Sequence, residues 1–285
     1  MNAPQTDDGR PWLKRVLDMP NDSREKTIFI ALALCLVCSI LVSVSAVVLK
    51  PLQRANESLD LKRNLLLAAA LVDKDASKQA VEEAFERVDV RVIDLRTGEF
   101  VEDVDVTEFN QRRATADPAT SERIASEDDV AGVKRRPHFA NVYLVKEGDT
   151  VTQVILPVSG YGLWSTLYGF LALEPDLRTI SGLKFYEHAE TAGLGAEVDN
   201  PGWLAQWKGK EAFDESGQTV IAVVKGSAGD SNTQVDGLAG ATLTSRGVHN
   251  MLQYWLGEQG FGPFLDKYRG AQIANTEAST MGGAG

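Results

Sequence analysis

The feature that most restricts this chain is an uncharged run from Ile28 to Leu49, IFIALALCLVCSILVSVSAVVL, bounded by Lys26 and Lys50. As a helix it measures about 33 Å, enough to cross a hydrocarbon layer of roughly 30 Å. We read it as a transmembrane helix. A cleaved signal peptide competes, with Ser43, Ser45 and Ala46 imitating a cleavage site, but its apolar core would be shorter and nearer the start of the chain. Arg10, Lys14, Arg15, Arg24 and Lys26 precede the run, and Lys50, Arg54, Lys62 and Arg63 follow it. Five against four favours a cytoplasmic N-terminal segment and a large domain on the far side. Cys35 and Cys38 lie one helical turn apart inside the run; as thiols in a lipid-facing helix they read first as packing residues, and a metal or redox role would need ligands from a partner chain.

The rest bounds the function by charge. With 29 Lys and Arg against 40 Asp and Glu, the net charge is −11, the opposite of what a phosphate backbone requires, so nucleic acid is excluded as a partner. Two cysteines and three histidines supply neither a disulfide framework nor a conventional four-ligand zinc site in the soluble part. The expected organisation is 1–27 as the N-terminal segment, 28–49 as the span, 50–87 as a helical neck, 88–272 as the extracytoplasmic domain and 273–285 as a disordered tail. Within the neck, Leu52 to Leu71 and Ala76 to Arg87 have helical patterns, and Val88 to Leu95 alternates as a half-buried strand. Glu102 to Arg136 is polar and reads as an irregular insertion with one short helix.

From Phe139 onward five runs, ANVYLVK, TVTQVILPV, TLYGFLALEP, ISGLKFYEHAE and TVIAVVKG, are rich in β-branched and aromatic residues and broken by Gly, Pro and Asp. They predict a mixed or antiparallel sheet. Asn200 and Pro201 predict the start of a short helix. Val248, Met251, Leu252, Trp255 and Leu256 predict an amphipathic helix from about Ser245 to Leu256, stopped by Gly257. The fold class is therefore α+β: one transmembrane helix, then a soluble sheet domain with flanking helices.

The segment Val235 to Val248, VDGLAGATLTSRGV, carries the chemistry. Gly237 and Gly240 allow a tight turn, and Thr242, Thr244 and Ser245 place three hydroxyls where the amphipathic helix starts. Unpaired N–H groups and the helix dipole there suit an anion. The alternative is that Thr244 or Ser245 merely caps the helix and the glycines merely form a loop.

DGLAGAT resembles the flavinylation motif of bacterial FMN-binding domains, D-G-x-S/T-G-A-T, with Ala239 at the position of the first hydroxyl. The resemblance implies that Thr242 is esterified to the phosphate of FMN by a flavin transferase, with Asp236, Gly237, Gly240 and Ala241 in the recognised loop and Thr244 beside it. GYGLWSTLYGFLAL and FYEHAETAGLGAEV, preceding it in order, extend the similarity to the C subunit of the Na⁺-translocating NADH:quinone oxidoreductase over almost the whole chain. In that family the ETxGLG stretch lies against the flavin; here it is Glu190, Thr191, Gly193, Leu194 and Gly195, with Ala189 and Ala192 as departures.

Tyr161, Leu163 and Trp164 are candidates to pack against the ring or in the core. Lys225 is a candidate to hold a phosphate or a reduced flavin, or a plain surface lysine. His188 reads as structural rather than as a proton donor. No GxGxxG follows a strand and opens a helix, so NADH is not expected on this chain. The resemblance implies a single-span, inner-membrane flavoprotein subunit that relays electrons from NADH toward ubiquinone while the complex exports Na⁺, with the other subunits, the flavin transferase and lipid as partners and no catalytic acid or base of its own. The alternatives are the G subunit of an Rnf-type ferredoxin:NAD oxidoreductase and a membrane-anchored sensory or binding module without a cofactor.

Overall fold

Alternation is the rule that builds the domain. In the computed structural model, which describes Pro20 and residues 23–269, strands β4 (Phe139–Glu147), β5 (Thr150–Tyr161) and β6 (Thr166–Leu173) send successive side chains to opposite faces of one sheet. Val142, Leu144, Val154, Leu156, Val158, Leu171 and Leu173 enter one buried cluster. Their neighbours Tyr143, Val145, Ile155, Phe170 and Ala172 enter a second on the other face. With β1 (Val88–Asp94) and β7 (Ile180–Glu187) these strands form a five-stranded antiparallel sheet in the order β1-β4-β5-β6-β7.

The chain divides into two units at Ser58/Leu59. In the first, helix α1 (Arg24–Ala68) contains the apolar run, which is long and apolar enough to cross a membrane. The helix continues through Pro51, although a proline inside a helix removes one hydrogen bond and costs about 3 kcal/mol. Its last turns belong to the second unit. There Leu65 and Leu66, essentially without exposed surface, cover the second sheet face together with Val81 of α2 (Lys78–Phe85). Ser77 caps α2 by accepting the Ala80 N–H at 3.1 Å.

The opposite face is covered by α5 (Thr242–Leu256), whose Val248, Met251, Leu252 and Trp255 are buried as their spacing predicts. Trp255 Nε1 donates to the Ser159 carbonyl of β5 at 2.6 Å. A side-chain carbon added at Gly247 would stand 2.5 Å from the Tyr161 carbonyl. The helix thus lies directly on the end of β5, and its first turn is brought beside the loop joining β5 to β6. Helix α6 (Gly262–Tyr268) closes the described chain.

Three expectations need correction. The polar insertion holds not only the short helix α3 (Gln111–Ala116) but also two short paired strands, β2 (Ser121–Arg123) and β3 (Arg135–Pro137). Their linkage is polar: Asp129 accepts the Val133 and Lys134 N–H groups, each at 2.8 Å, and the Arg135 side chain donates to Ser121. Hydrophobic periodicity could not reveal them. TVIAVVKG does not join the main sheet; Thr219 makes an isolated antiparallel bridge with Phe213, and β8 (Ala222–Val224) pairs in parallel with β9 (Gln234–Asp236). The amphipathic helix begins at Thr242, not Ser245. Asn200 does cap α4 (Pro201–Leu204), accepting the Gly202 N–H at 2.8 Å. The N-terminal segment lies mostly, and the tail 273–285 wholly, outside the described residues.

Candidate functional site

Two loops and one helix start converge on the Glu190 carboxylate. One oxygen accepts the N–H groups of Leu163, Trp164 and Ser165 at 3.0, 2.9 and 3.4 Å. The other accepts the Thr244 hydroxyl at 2.6 Å. Glycines leave room for it: a side-chain carbon at Gly162 or Gly195 would stand 2.6 Å from a Glu190 oxygen. Burial pushes the Glu190 pKa up, but the hydrogen bonds from Thr244 and the three amides outweigh it and hold the group below its ordinary value. It is an ionised group in a nearly closed site, kept there by donors rather than by a cation.

The loops are fixed in turn. Ser165 Oγ accepts the Ala189 N–H at 2.7 Å, and the Ser165 carbonyl accepts the Gly162 N–H at 2.8 Å. His188 accepts the Glu190 N–H on Nδ1 at 3.3 Å, so its other nitrogen donates to Asp199 at 2.8 Å. This matches the structural role expected for His188.

The three hydroxyls of α5 separate cleanly. Thr244 and Ser245 are buried. Ser245 Oγ donates to the Ala241 carbonyl at 3.0 Å and accepts the Leu238 N–H at 2.9 Å. Thr242 is exposed, and no side chain caps the helix at Ala241. Neither Thr244 nor Ser245 is therefore a cap; both lie inside the first turn. Gly240, at φ +73°, makes the left-handed turn into the helix, and its open face lies against Leu194, whose Cδ2 would be 2.9 Å from an added side-chain carbon.

The helix start and the segments tied to it carry exposed apolar side chains. Tyr161, Leu163, Trp164, Leu194 and Leu243 are 48, 37, 65, 43 and 50% exposed, although the backbone carrying Leu163 and Trp164 is firmly tied. Core packing, one of the two roles open to Tyr161, Leu163 and Trp164, is not what they do. A helix start without a side-chain cap, an exposed Thr242 hydroxyl with no hydrogen-bond partner among the described residues, and exposed apolar side chains suit a ligand with an anionic end and a flat apolar ring.

Other sequence candidates shape the loops around this helix start or flank it. Asp236 is a fold residue: its carboxylate accepts the Ala228 N–H at 2.6 Å and the Gln206 side chain at 3.3 Å, and its carbonyl accepts Trp203 Nε1 at 2.7 Å. Gly237 is needed because its Cα faces the Val224 carbonyl closely, and its N–H bonds to Gly226 at 3.0 Å. Lys225 is exposed at the end of β8, next to that turn, and takes no part in the hydrogen bonds that build the site. Thr191 and Gly193 are exposed on the loop that carries Leu194, and Ala241 is buried. Sequence reasoning did not single out Leu243 and Arg246, which are exposed on the same helix; Arg246 stands one turn after Thr242. Among the described residues no group of three or more His, Cys, Asp or Glu could hold a metal ion.

Residues 162–257, which span these loops and α5, match the family model for the FMN-binding domain. The C subunit of the Na(+)-translocating NADH-quinone reductase of Pseudomonas aeruginosa is 46% identical over 253 residues, 87% of this chain and 97% of the relative. The chain belongs to this NqrC family. The Vibrio anguillarum member is 49% identical over 251 residues, 87% of this chain and 96% of its own. The crystal structure of Shewanella oneidensis NqrC superposes with a TM-score of 0.69 at 36% identity, covering 76% of this chain and 99% of that one. That of the Parabacteroides distasonis member gives 0.58 at 30% identity, with 76 and 96% covered. Membership bears out the α+β class and the place in an oxidoreductase complex, and it replaces the Rnf-type alternative.

Proposed function

We propose that the chain carries FMN as a phosphoester on Thr242 and serves as the flavin electron-transfer subunit of a Na⁺-translocating NADH:quinone oxidoreductase. In this reading it relays electrons from NADH, which binds elsewhere in the complex, toward ubiquinone while the complex exports Na⁺. The observation that carries it is the division of hydroxyls: Thr244 and Ser245 are buried and hydrogen-bonded, while Thr242 is exposed, with no hydrogen-bond partner among the described residues, at a helix start without a side-chain cap.

Bound there, FMN supplies the redox chemistry. The chain's own residues bind and orient. The first-turn N–H groups of α5 and the Arg246 side chain favour the phosphate's negative charge. Leu163, Trp164, Leu194 and Leu243 offer apolar contact to the ring and exclude water from it. Helix α1 crosses the bacterial inner membrane once, and the domain from Val88 onward lies on the periplasmic side. A flavin transferase is the partner in maturation, and an ester bond prevents loss of the cofactor where it could not easily be replaced.

The test is denaturing electrophoresis under ultraviolet light after co-expression with a flavin transferase. A fluorescent band at the mass of this chain, lost in Thr242→Ala and kept in Thr244→Ala, supports the assignment. A colourless wild-type chain with an unmodified Thr242 peptide would falsify it.

A further inference from the structure

Leu163 and Trp164 pose a question of energy. An exposed tryptophan on a mobile loop needs no explanation, but this one stands on backbone fixed at both ends and at its centre. The central fixing is done by the carboxylate of Glu190, a residue only 8% exposed that makes no salt bridge among the described residues. Burying a carboxylate is costly unless donors meet it, and here they come from two segments far apart in sequence, the β5–β6 loop and the first turn of α5.

We propose that Glu190 is a positioning residue for the flavin, clamping the Leu163–Ser165 backbone to Thr244 so that Leu163 and Trp164 stand at the ring beside Thr242. This rests on the FMN reading above. The clamp acts through the two side chains and not through the attachment bond, because Glu190 is engaged with Thr244 and the loop amides, leaving the Thr242 hydroxyl to the transferase. Glutamine can reproduce it: its carbonyl oxygen accepts the loop amides and its amide donates to Thr244 Oγ. Alanine cannot.

The experiment uses the full chain co-expressed with a flavin transferase, comparing wild type with Glu190→Gln, Glu190→Ala, Trp164→Leu and the Glu190→Ala/Trp164→Leu pair. Peptide mass reports FMN on Thr242, hydrogen exchange reports the amides of residues 163–165, and steady-state emission reports the flavin. We expect full FMN mass in every variant, exchange at 163–165 at least tenfold faster in Glu190→Ala, and wild-type exchange in Glu190→Gln. Flavin emission, quenched by the nearby indole in wild type, should rise at least twofold in Glu190→Ala and in Trp164→Leu, with no further rise in the pair. Should Glu190→Ala fail to fold, Thr244→Val removes one arm of the clamp and should speed exchange at the same amides and raise emission.

Faster exchange with unchanged flavin emission would overturn the proposal, as would unchanged exchange. Loss of FMN mass in both Glu190 variants would also overturn it, placing Glu190 in attachment instead. A wild-type chain without FMN mass sinks the function proposed above, while the exchange data still report whether Glu190 holds the loop.

Discussion

Thr242 and Thr244 lie two residues apart in the same helical turn, yet one hydroxyl meets solvent and the other meets the Glu190 carboxylate at 2.6 Å. Their substitutions should therefore separate chemistry from stability. Thr242→Ala is expected to leave the melting curve within about 0.5 kcal/mol of wild type, as exposed substitutions do, and to abolish flavin fluorescence on the gel. Thr244→Val should keep the fluorescence and lower stability by about 1–3 kcal/mol, because a buried acceptor loses its donor. Urea unfolding of both variants checks this; equal stability losses would refute the division.

Gly247 is a place where two rules oppose each other. In an exposed helix, Gly→Ala gains about 1 kcal/mol. Here the added carbon would stand 2.5 Å from the Tyr161 carbonyl and 3.0 Å from Gly162 Cα, both backbone atoms that can yield only if α5 lifts from β5. Overpacking of this kind costs about 1–3 kcal/mol, so the net effect of Gly247→Ala is a loss. Thermal melts of the domain would show it; a gain in stability would mean that the helix sits further from the sheet.

Glu190 should leave a mark on the pH dependence. Its folded pKa lies below the ordinary value of 4.5, because hydrogen bonds to the charged form outweigh burial. A depressed folded value stabilises the fold above the unfolded pKa, and the contribution fades as pH falls through the folded value. The stability gap between wild type and Glu190→Gln is thus expected to be constant from pH 7 to about pH 5 and to narrow below the ordinary carboxylate value of 4.5. Asp89, Asp176 and Glu187 are depressed in the same direction, so only the difference between the two proteins isolates Glu190. Urea titrations at pH 7, 5, 4 and 3 give that difference.

The last turns of α1 are structural parts of the sheet domain. Leu66 has no exposed surface and packs with Ile155 and Phe170 in the second cluster. Leu66→Ala should cost about 2–5 kcal/mol. A chain shortened to begin at Leu59 should give a monodisperse domain, whereas one beginning at Ala70 should expose the sheet face and aggregate. Light scattering of the two shortened chains distinguishes these outcomes.

Much of the fold is legible in the sequence because it follows from local periodicity. Alternation in Thr150–Tyr161 locates β5 and both its faces, and the spacing from Val248 to Leu256 locates the buried face of α5. The start of α5 is misplaced by sequence because hydroxyls at 242, 244 and 245 suggest a cap, while the helix begins without one and buries two of them. TVIAVVKG has strand composition, but its sheet is chosen by the close approach of Gly237 to Val224, which no pattern within the run encodes. The paired strands β2 and β3 are invisible to periodicity because carboxylate and guanidinium hydrogen bonds hold them. At the site, Thr242 and the ETAGLG loop come from resemblance; composition alone leaves both a cap and an anion site open. The joint role of Glu190 can be seen only once the fold brings residues 163–165 and 244 to one carboxylate.

Asp236, the first letter of the sequence signature, ties together segments that lie far apart in the chain. Both its carboxylate oxygens and its carbonyl hold neighbouring loops, so the turn leading to Thr242 acquires its shape only in a finished domain. In the function proposed above, a transferase that read this turn in its folded form would pass over an unfolded copy. The yellow mark on a mature molecule would then double as a certificate that its corner of the protein had closed correctly.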